Sequence, residues 1–98
     1  MTNDYETPRM LVLSTAHLTN DDRKWLNEQT VHNNPRLVVY PKSEYGWFIP
    51  IIEDSDFLKE DVPENIVKLL QFTRVTRCTW LMLDRDADII NELPIYRD

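Results

Sequence analysis

Four apolar runs, each only four to six residues long, punctuate the chain: "MLVL" at 10–13, "LVVY" at 37–40, "WFIPII" at 47–52 and "WLML" at 80–83. Runs of that length between turn residues read as strands, because a buried helix needs ten residues or more of pattern. Helical signals stand between them. In "TNDDRKWLNEQT", Thr19 is a good N-cap with Asp22 three residues on, and Trp25 and Leu26 are the apolar anchors. In "DVPENIVKLLQFTR", Asp61 and Glu64 form a D-x-x-E box, and Pro63 falls in the first turn, where its missing N–H costs nothing. Val62, Ile66, Leu69, Leu70 and Thr73 then share one face, and Arg74 and Arg77 suit the negative C-terminal end. "KSEYG" reads as a hairpin connection with Gly46 at the positive-φ site, and Pro50 argues that its strand lies at an edge or carries a bulge.

The order strand-helix-strand-strand-helix-strand predicts an α+β fold: a ferredoxin-like β-α-β-β-α-β sandwich, with a four-stranded antiparallel sheet and two helices on one face. The competing arrangement is a small three-layer α/β fold in which the last strand pairs parallel to the first. Ninety-eight residues make a single domain, 1–98, with a frayed N-terminus at 1–7 and an acidic C-terminal tail at 85–98.

Composition narrows the function. Gly46 is the one glycine, and phosphate-cradling loops of the P-loop or dinucleotide type need several. A net charge of −6 speaks against direct nucleic-acid binding, which rests on Lys and Arg neutralising phosphates. An acidic chain is steered toward basic surfaces instead. Cys78 is the single cysteine, so no intrachain disulfide forms; with no signal peptide, the expected compartment is the cytoplasm. No apolar run approaches the roughly 20 residues that span a bilayer.

Three features could carry chemistry. "LMLDRDAD" runs from a strand into Asp84, Asp86 and Asp88, and carboxylates at a strand end can bind Mg²⁺ or Mn²⁺ or accept a phosphoryl group. The plainer reading is a solvated turn, with Arg85 offsetting part of the charge. "STAHLT" places His17 just past the first strand, but Ser14 and His17 point to opposite faces of an extended chain, so a Ser-His pairing is poor. A structural role for His17, tying its loop to the Thr19 cap, is the plainer reading. In the ferredoxin-like order His17 would lie near Cys78 and Asp84 near Arg9; His17 and the aspartates would meet only in the competing fold. His32 sits among asparagines and reads as solvated. Cys78 reads as a small core hydrophobe, and three scattered Cys/His residues do not make a zinc site. No cofactor or metal is expected.

The third feature is an acidic run. Glu53, Asp54, Asp56, Glu60, Asp61 and Glu64 face one lysine within twelve residues, and residues 50–98 hold 11 acids against 6 bases. Such a run is ordinarily a solvated loop. On a rigid scaffold it can also occupy a basic groove built for phosphates, with Phe57 and Leu58 as apolar anchors.

"STAHLT" (Ser14–Thr19) and "LDRDAD…ELPIY" (Leu83–Tyr96) together resemble a family of small uncharacterised bacterial proteins carried by plasmids, phages and integrated elements. The resemblance spans most of the chain. Here Arg97 and Asp98 follow Tyr96, where the family pattern has an aromatic residue. The resemblance implies a bacterial host and an antagonist of host defence, of the anti-restriction or anti-CRISPR kind. The leading expectation is thus a non-enzymatic binding module that occupies a basic surface of a host protein or ribonucleoprotein complex. Its binding residues would be Glu53, Asp54, Asp56, Phe57, Glu60 and Asp61, with Asp84, Asp86 and Asp88 as a second patch. The alternatives are a metal-dependent enzyme acting on phosphate through Asp84 and Asp86, and a structural or regulatory homodimer.

Overall fold

The structure, a computed structural model, describes residues 5–31, 37–51 and 62–96. The fold is α+β: the described residues form two helices against a four-stranded sheet. Strand β1 (Met10–Ser14) leads through a 3-10 turn (Thr15–His17) into helix α1 (Asn20–Val31). Strands β2 (Tyr40–Lys42) and β3 (Gly46–Pro50) form a hairpin, followed by helix α2 (Glu64–Val75) and strand β4 (Trp80–Asp84).

The sheet order is β1-β4-β3-β2, and here the ferredoxin-like expectation fails. The sheet is mixed: β1 and β4 run parallel, with Met10 opposite Trp80 and Ser14 opposite Asp84, while β4–β3 and β3–β2 are antiparallel. The first–last pairing is thus that of the competing arrangement, in a sheet whose helices sit on one side. Alternating leucines read the same in either chain direction, so periodicity could not choose. Either direction keeps Leu11 and Leu13 beside Leu81 and Leu83. Only the parallel one carries the residues after both strands to the same end of the sheet.

Leu13, Trp47, Ile49, Leu81 and Leu83 form the inner face, buried with Leu26 of α1 and Ile66, Leu69 and Leu70 of α2. Removing a leucine or isoleucine of this kind from water is worth about 1.5–3 kcal/mol. The apolar face read for α2 is the one that is buried, and Trp25 packs at the edge of the same core. α2 starts later than the box implied: Glu64 is its first residue, Pro63 is the N-cap without a side-chain cap bond, and Asp61 lies outside the described residues.

With a single glycine, the chain turns corners on other residues. At the C-terminal end of α2, Arg77 adopts φ +63°. Its N–H bonds to the Arg74 carbonyl at 2.9 Å and the Cys78 N–H to the Thr73 carbonyl at 3.3 Å, the paired bonds of a Schellman closure. The hairpin follows expectation at its glycine and adds a residue to it. Gly46 has a positive φ, +158°, as read, and Ser43 in the connection is a second positive-φ residue, in the left-handed region at φ +51°. Gly46 opens β3, where a Cβ would come 1.6 Å from the Leu83 carbonyl oxygen. Pro50 ends β3, a central strand, but β2 reaches only to the level of Phe48, so at Pro50 no described strand needs its missing N–H.

Candidate functional site

The parallel pairing places the ends of β1 and β4 side by side, and both sequence motifs start there. Ser14 Oγ accepts from the Ala16 N–H at 3.0 Å and turns the chain into the 3-10 element. That turn drives His17 inward to full burial. Buried imidazole needs partners for both ring nitrogens, and the C-terminal segment supplies them. Nδ1 donates to the Pro94 carbonyl at 2.8 Å, and Nε2 accepts the Ile90 N–H at 3.2 Å. One tautomer of the neutral ring, with the proton on Nδ1, satisfies both. The Tyr96 N–H bonds to the Ala16 carbonyl at 2.9 Å, while Ile90 and Leu93 pack against the core. The acidic tail thus folds back on the first motif, and residues 85–96 contain turns but no helical turn.

Behind His17 lies a second layer. Thr19 and Asp22 make the reciprocal capping pair read from sequence: the Asp22 N–H reaches Thr19 Oγ1 and the Thr19 N–H reaches Asp22 Oδ2, each at 3.0 Å. Asp22 is buried, and Asn65 of α2 shares the load. Asn65 Nδ2 donates to Asp22 Oδ2 at 2.6 Å and to the His17 carbonyl at 2.9 Å, and its Oδ1 accepts from the Tyr96 hydroxyl at 3.3 Å. One amide therefore joins α1, α2, the 3-10 turn and the tail. Arg23 Nη2 donates to the Thr15 carbonyl at 2.8 Å, and its buried Nε has no partner. Asn65 and Arg23 escape sequence reading, since nothing local marks them and Asn65 lies 43 positions from Asp22. His17 is structural, as read, but its ring holds the tail rather than the Thr19 cap.

The aspartates separate. Ser14, Asp84, Gly46 and Lys42 are neighbours in one row across the sheet, and Lys42 Nζ reaches Asp84 Oδ2 at 2.5 Å. Asp84 Oδ1 accepts the Asp86 N–H at 2.8 Å. The Lys42 hydrogen bond first, then the Asp86 amide, hold the Asp84 carboxyl below its ordinary value of 3.8. Arg85 stacks over Tyr45, 4.5 Å from the ring centroid, and its N–H bonds to the Tyr45 carbonyl at 2.9 Å. The Asp86 and Asp88 side chains face solvent. Among the described residues no three His, Cys, Asp or Glu side chains converge as a metal site would need. Cys78 is buried at the opposite end of the sheet from His17: the Thr79 N–H bonds to the Arg9 carbonyl, so it is Cys78, not Asp84, that neighbours Arg9. Glu53, Asp54, Asp56, Phe57, Leu58, Glu60, Asp61 and His32 lie outside the described residues.

No helix among the described residues is long and apolar enough to cross a membrane. No curated protein and no solved structure matches the chain. A family model does match, over residues 10–98, under the description "Family of unknown function (DUF5983) C-terminal domain". With both motifs inside the match, and the match covering nearly all of the sequence, the chain belongs to this family of unknown function.

Proposed function

We propose that this chain is a non-enzymatic binding module, an acidic protein of a mobile element that occupies a basic surface on a host nucleic-acid-handling defence complex in the manner of an anti-CRISPR or anti-restriction protein. The observation that supports this reading is how the reactive side chains are used. Both ring nitrogens of His17 are taken by backbone groups of the tail, and the Asp84 carboxylate is taken by Lys42 and the Asp86 amide. Side chains spent on holding the fold leave surface as the means of action. That surface is acidic, at net −6 over 98 residues, with Asp86, Asp88 and Glu64 exposed in the described part. Charge of one sign steers a protein to the opposite sign and makes binding salt-dependent.

The test is affinity capture of tagged protein from a bacterial lysate that expresses restriction and CRISPR complexes, at low and moderate salt. Recovery of one such complex, lost as salt rises and lost on Asp54→Lys/Asp56→Lys/Asp61→Lys or Asp86→Lys/Asp88→Lys, supports the reading. A captured complex indifferent to both sets of reversals removes the acidic surface from the account.

A further inference from the structure

We infer that residues 88–96 form a strap with His17 as its catch, and that a second proton on the His17 ring releases the strap as one unit. The segment contains turns but no strand or helix, so its release breaks none of the sheet's pairings. Its start is pinned: the Arg85 N–H bonds to the Tyr45 carbonyl and the Ala87 N–H to the Asp84 carbonyl. Past that point the hydrogen bonds described between strap and body gather on one turn and the neighbouring Asn65. Pro94 and Ile90 meet the His17 ring, the Tyr96 N–H meets the Ala16 carbonyl, and the Tyr96 hydroxyl meets Asn65. Asp88, Ile89, Asn91, Glu92, Pro94 and Ile95 are exposed, while Ile90 and Leu93 reach the edge of the core. A segment with few buried groups is the kind that opens separately from the rest of a fold.

The catch depends on one proton. A neutral imidazole offers one donor and one acceptor, and the protonated ring offers two donors. With the strap closed, Nδ1 faces the Pro94 carbonyl, which suits a donor in either state. Nε2 faces the Ile90 N–H at 3.2 Å, which suits an acceptor alone. A proton on Nε2 sets two N–H groups head to head around a fully buried ring, and neither has a partner while the strap stays closed. The charged groups around the turn are engaged elsewhere. Asp22 of α1 turns Oδ2 to the Thr19 N–H and the Asn65 amide, and Arg23 of α1 donates to the Thr15 carbonyl. From α2 comes uncharged Asn65, bonded to the His17 carbonyl rather than to the ring. At the end of β4, Asp84 is held by Lys42 and the Asp86 amide. The strap itself brings the Tyr96 hydroxyl, which donates to Asn65. Histidine is the side chain whose charge ordinarily changes between about pH 5 and 8, so mild acid is the signal this geometry can read.

Hydrogen exchange of the full chain, followed by NMR from about pH 8 down to about pH 5, tests this. Where an open form binds a proton that the closed form has no place for, opening grows by up to about tenfold per pH unit below about 6.5, the midpoint of an imidazole in water. After correction for intrinsic exchange, the opening constants of the Ile90 and Tyr96 amides should rise together in this way, ahead of the β4 amides. His17→Gln keeps a donor and an acceptor but does not titrate, so the rise should vanish there; His32 is present in both proteins and cancels. An equal rise in the two proteins, no rise in the unmodified one, or Ile90 and Tyr96 amides that exchange only together with β4 overturns the proposal. Ring nitrogen-15 shifts of the unmodified protein keep the test independent of variant folding. His17 should gain its second proton in the same pH step in which the Ile90 amide leaves its closed-state position. A doubly protonated ring with the Ile90 and Tyr96 amides still in their closed-state positions also overturns it.

Discussion

His17 and Pro94, 77 positions apart, are joined by a 2.8 Å hydrogen bond from Nδ1 to the carbonyl oxygen, inside a site that excludes solvent from the ring. This bond makes the C-terminal segment part of the core structure rather than an appendage. It also explains why "STAHLT" and "ELPIY" occur in one chain: each is half of the same clasp.

His17→Ala removes two hydrogen bonds and leaves the Pro94 carbonyl and the Ile90 N–H without their partner. Each lost bond costs about 0.5–1.5 kcal/mol and removal of the buried ring adds lost packing, so a loss of about 3 kcal/mol is expected in urea unfolding. His17→Gln, which can donate and accept, should recover part of it. A loss under about 0.5 kcal/mol, the range of neutral surface changes, would contradict the clasp.

Asn65 should show coupling that a peripheral residue would not. Asn65→Ala strands the Tyr96 hydroxyl and removes one donor from buried Asp22, and about 2 kcal/mol should be lost. Tyr96→Phe alone should cost about 1 kcal/mol. In a double-mutant cycle the two should be non-additive by at least about 0.5 kcal/mol, since they share one bond.

Asp84 sets an acid limb of the stability curve. Its carboxyl titrates below 3.8 in the folded chain because Lys42 and the Asp86 amide favour the ionised form. Between the folded value and the ordinary one, the unfolded chain binds the proton and the folded chain does not. The contribution is therefore complete above about pH 4 and is lost as pH falls through the folded value. Urea midpoints measured downward from about pH 6 should decline less steeply in Asp84→Asn than in the unmodified protein. Identical acid limbs would show that the Lys42 pair contributes nothing.

Arg77 carries a cost that glycine would relieve. A non-glycine residue in the left-handed region is disfavoured by about 1 kcal/mol, so Arg77→Gly should raise stability by about 0.5–1 kcal/mol despite the added entropy of the unfolded chain. Gly46→Ala should do the reverse, because its methyl meets the Leu83 backbone rather than a flexible side chain; a loss above about 4 kcal/mol is expected, the range reserved for forced overlaps. Thermal melts of the two variants check both signs.

The features legible in the sequence were local ones. Thr19 and Asp22 are three residues apart, so the cap they form follows from helix geometry alone. The buried face of α2 and the core leucines of β1 and β4 follow from periods of 3.6 and 2, which a sequence displays directly. The hairpin and its positive-φ glycine were legible; the close approach of Gly46 to the Leu83 backbone and the left-handed Ser43 were not.

The direction of β4 beside β1 was beyond sequence, and with it the meaning of both motifs. A run such as "WLML" buries the same side chains whether it runs up or down, so its hydrophobic energy is nearly indifferent to direction. The distinction lies in the segments that leave the two strand ends. Parallel pairing lets buried His17 find Ile90 and Pro94 and lets Asn65 reach Tyr96, while the antiparallel registers of β3 set Asp84 beside Lys42 across Gly46. Those partners are 31 to 77 residues apart, in pairs that no local rule connects. Composition and periodicity determined which elements form and which faces are apolar; only tertiary structure decided which ends meet, because polar satisfaction at a buried site depends on three-dimensional neighbours.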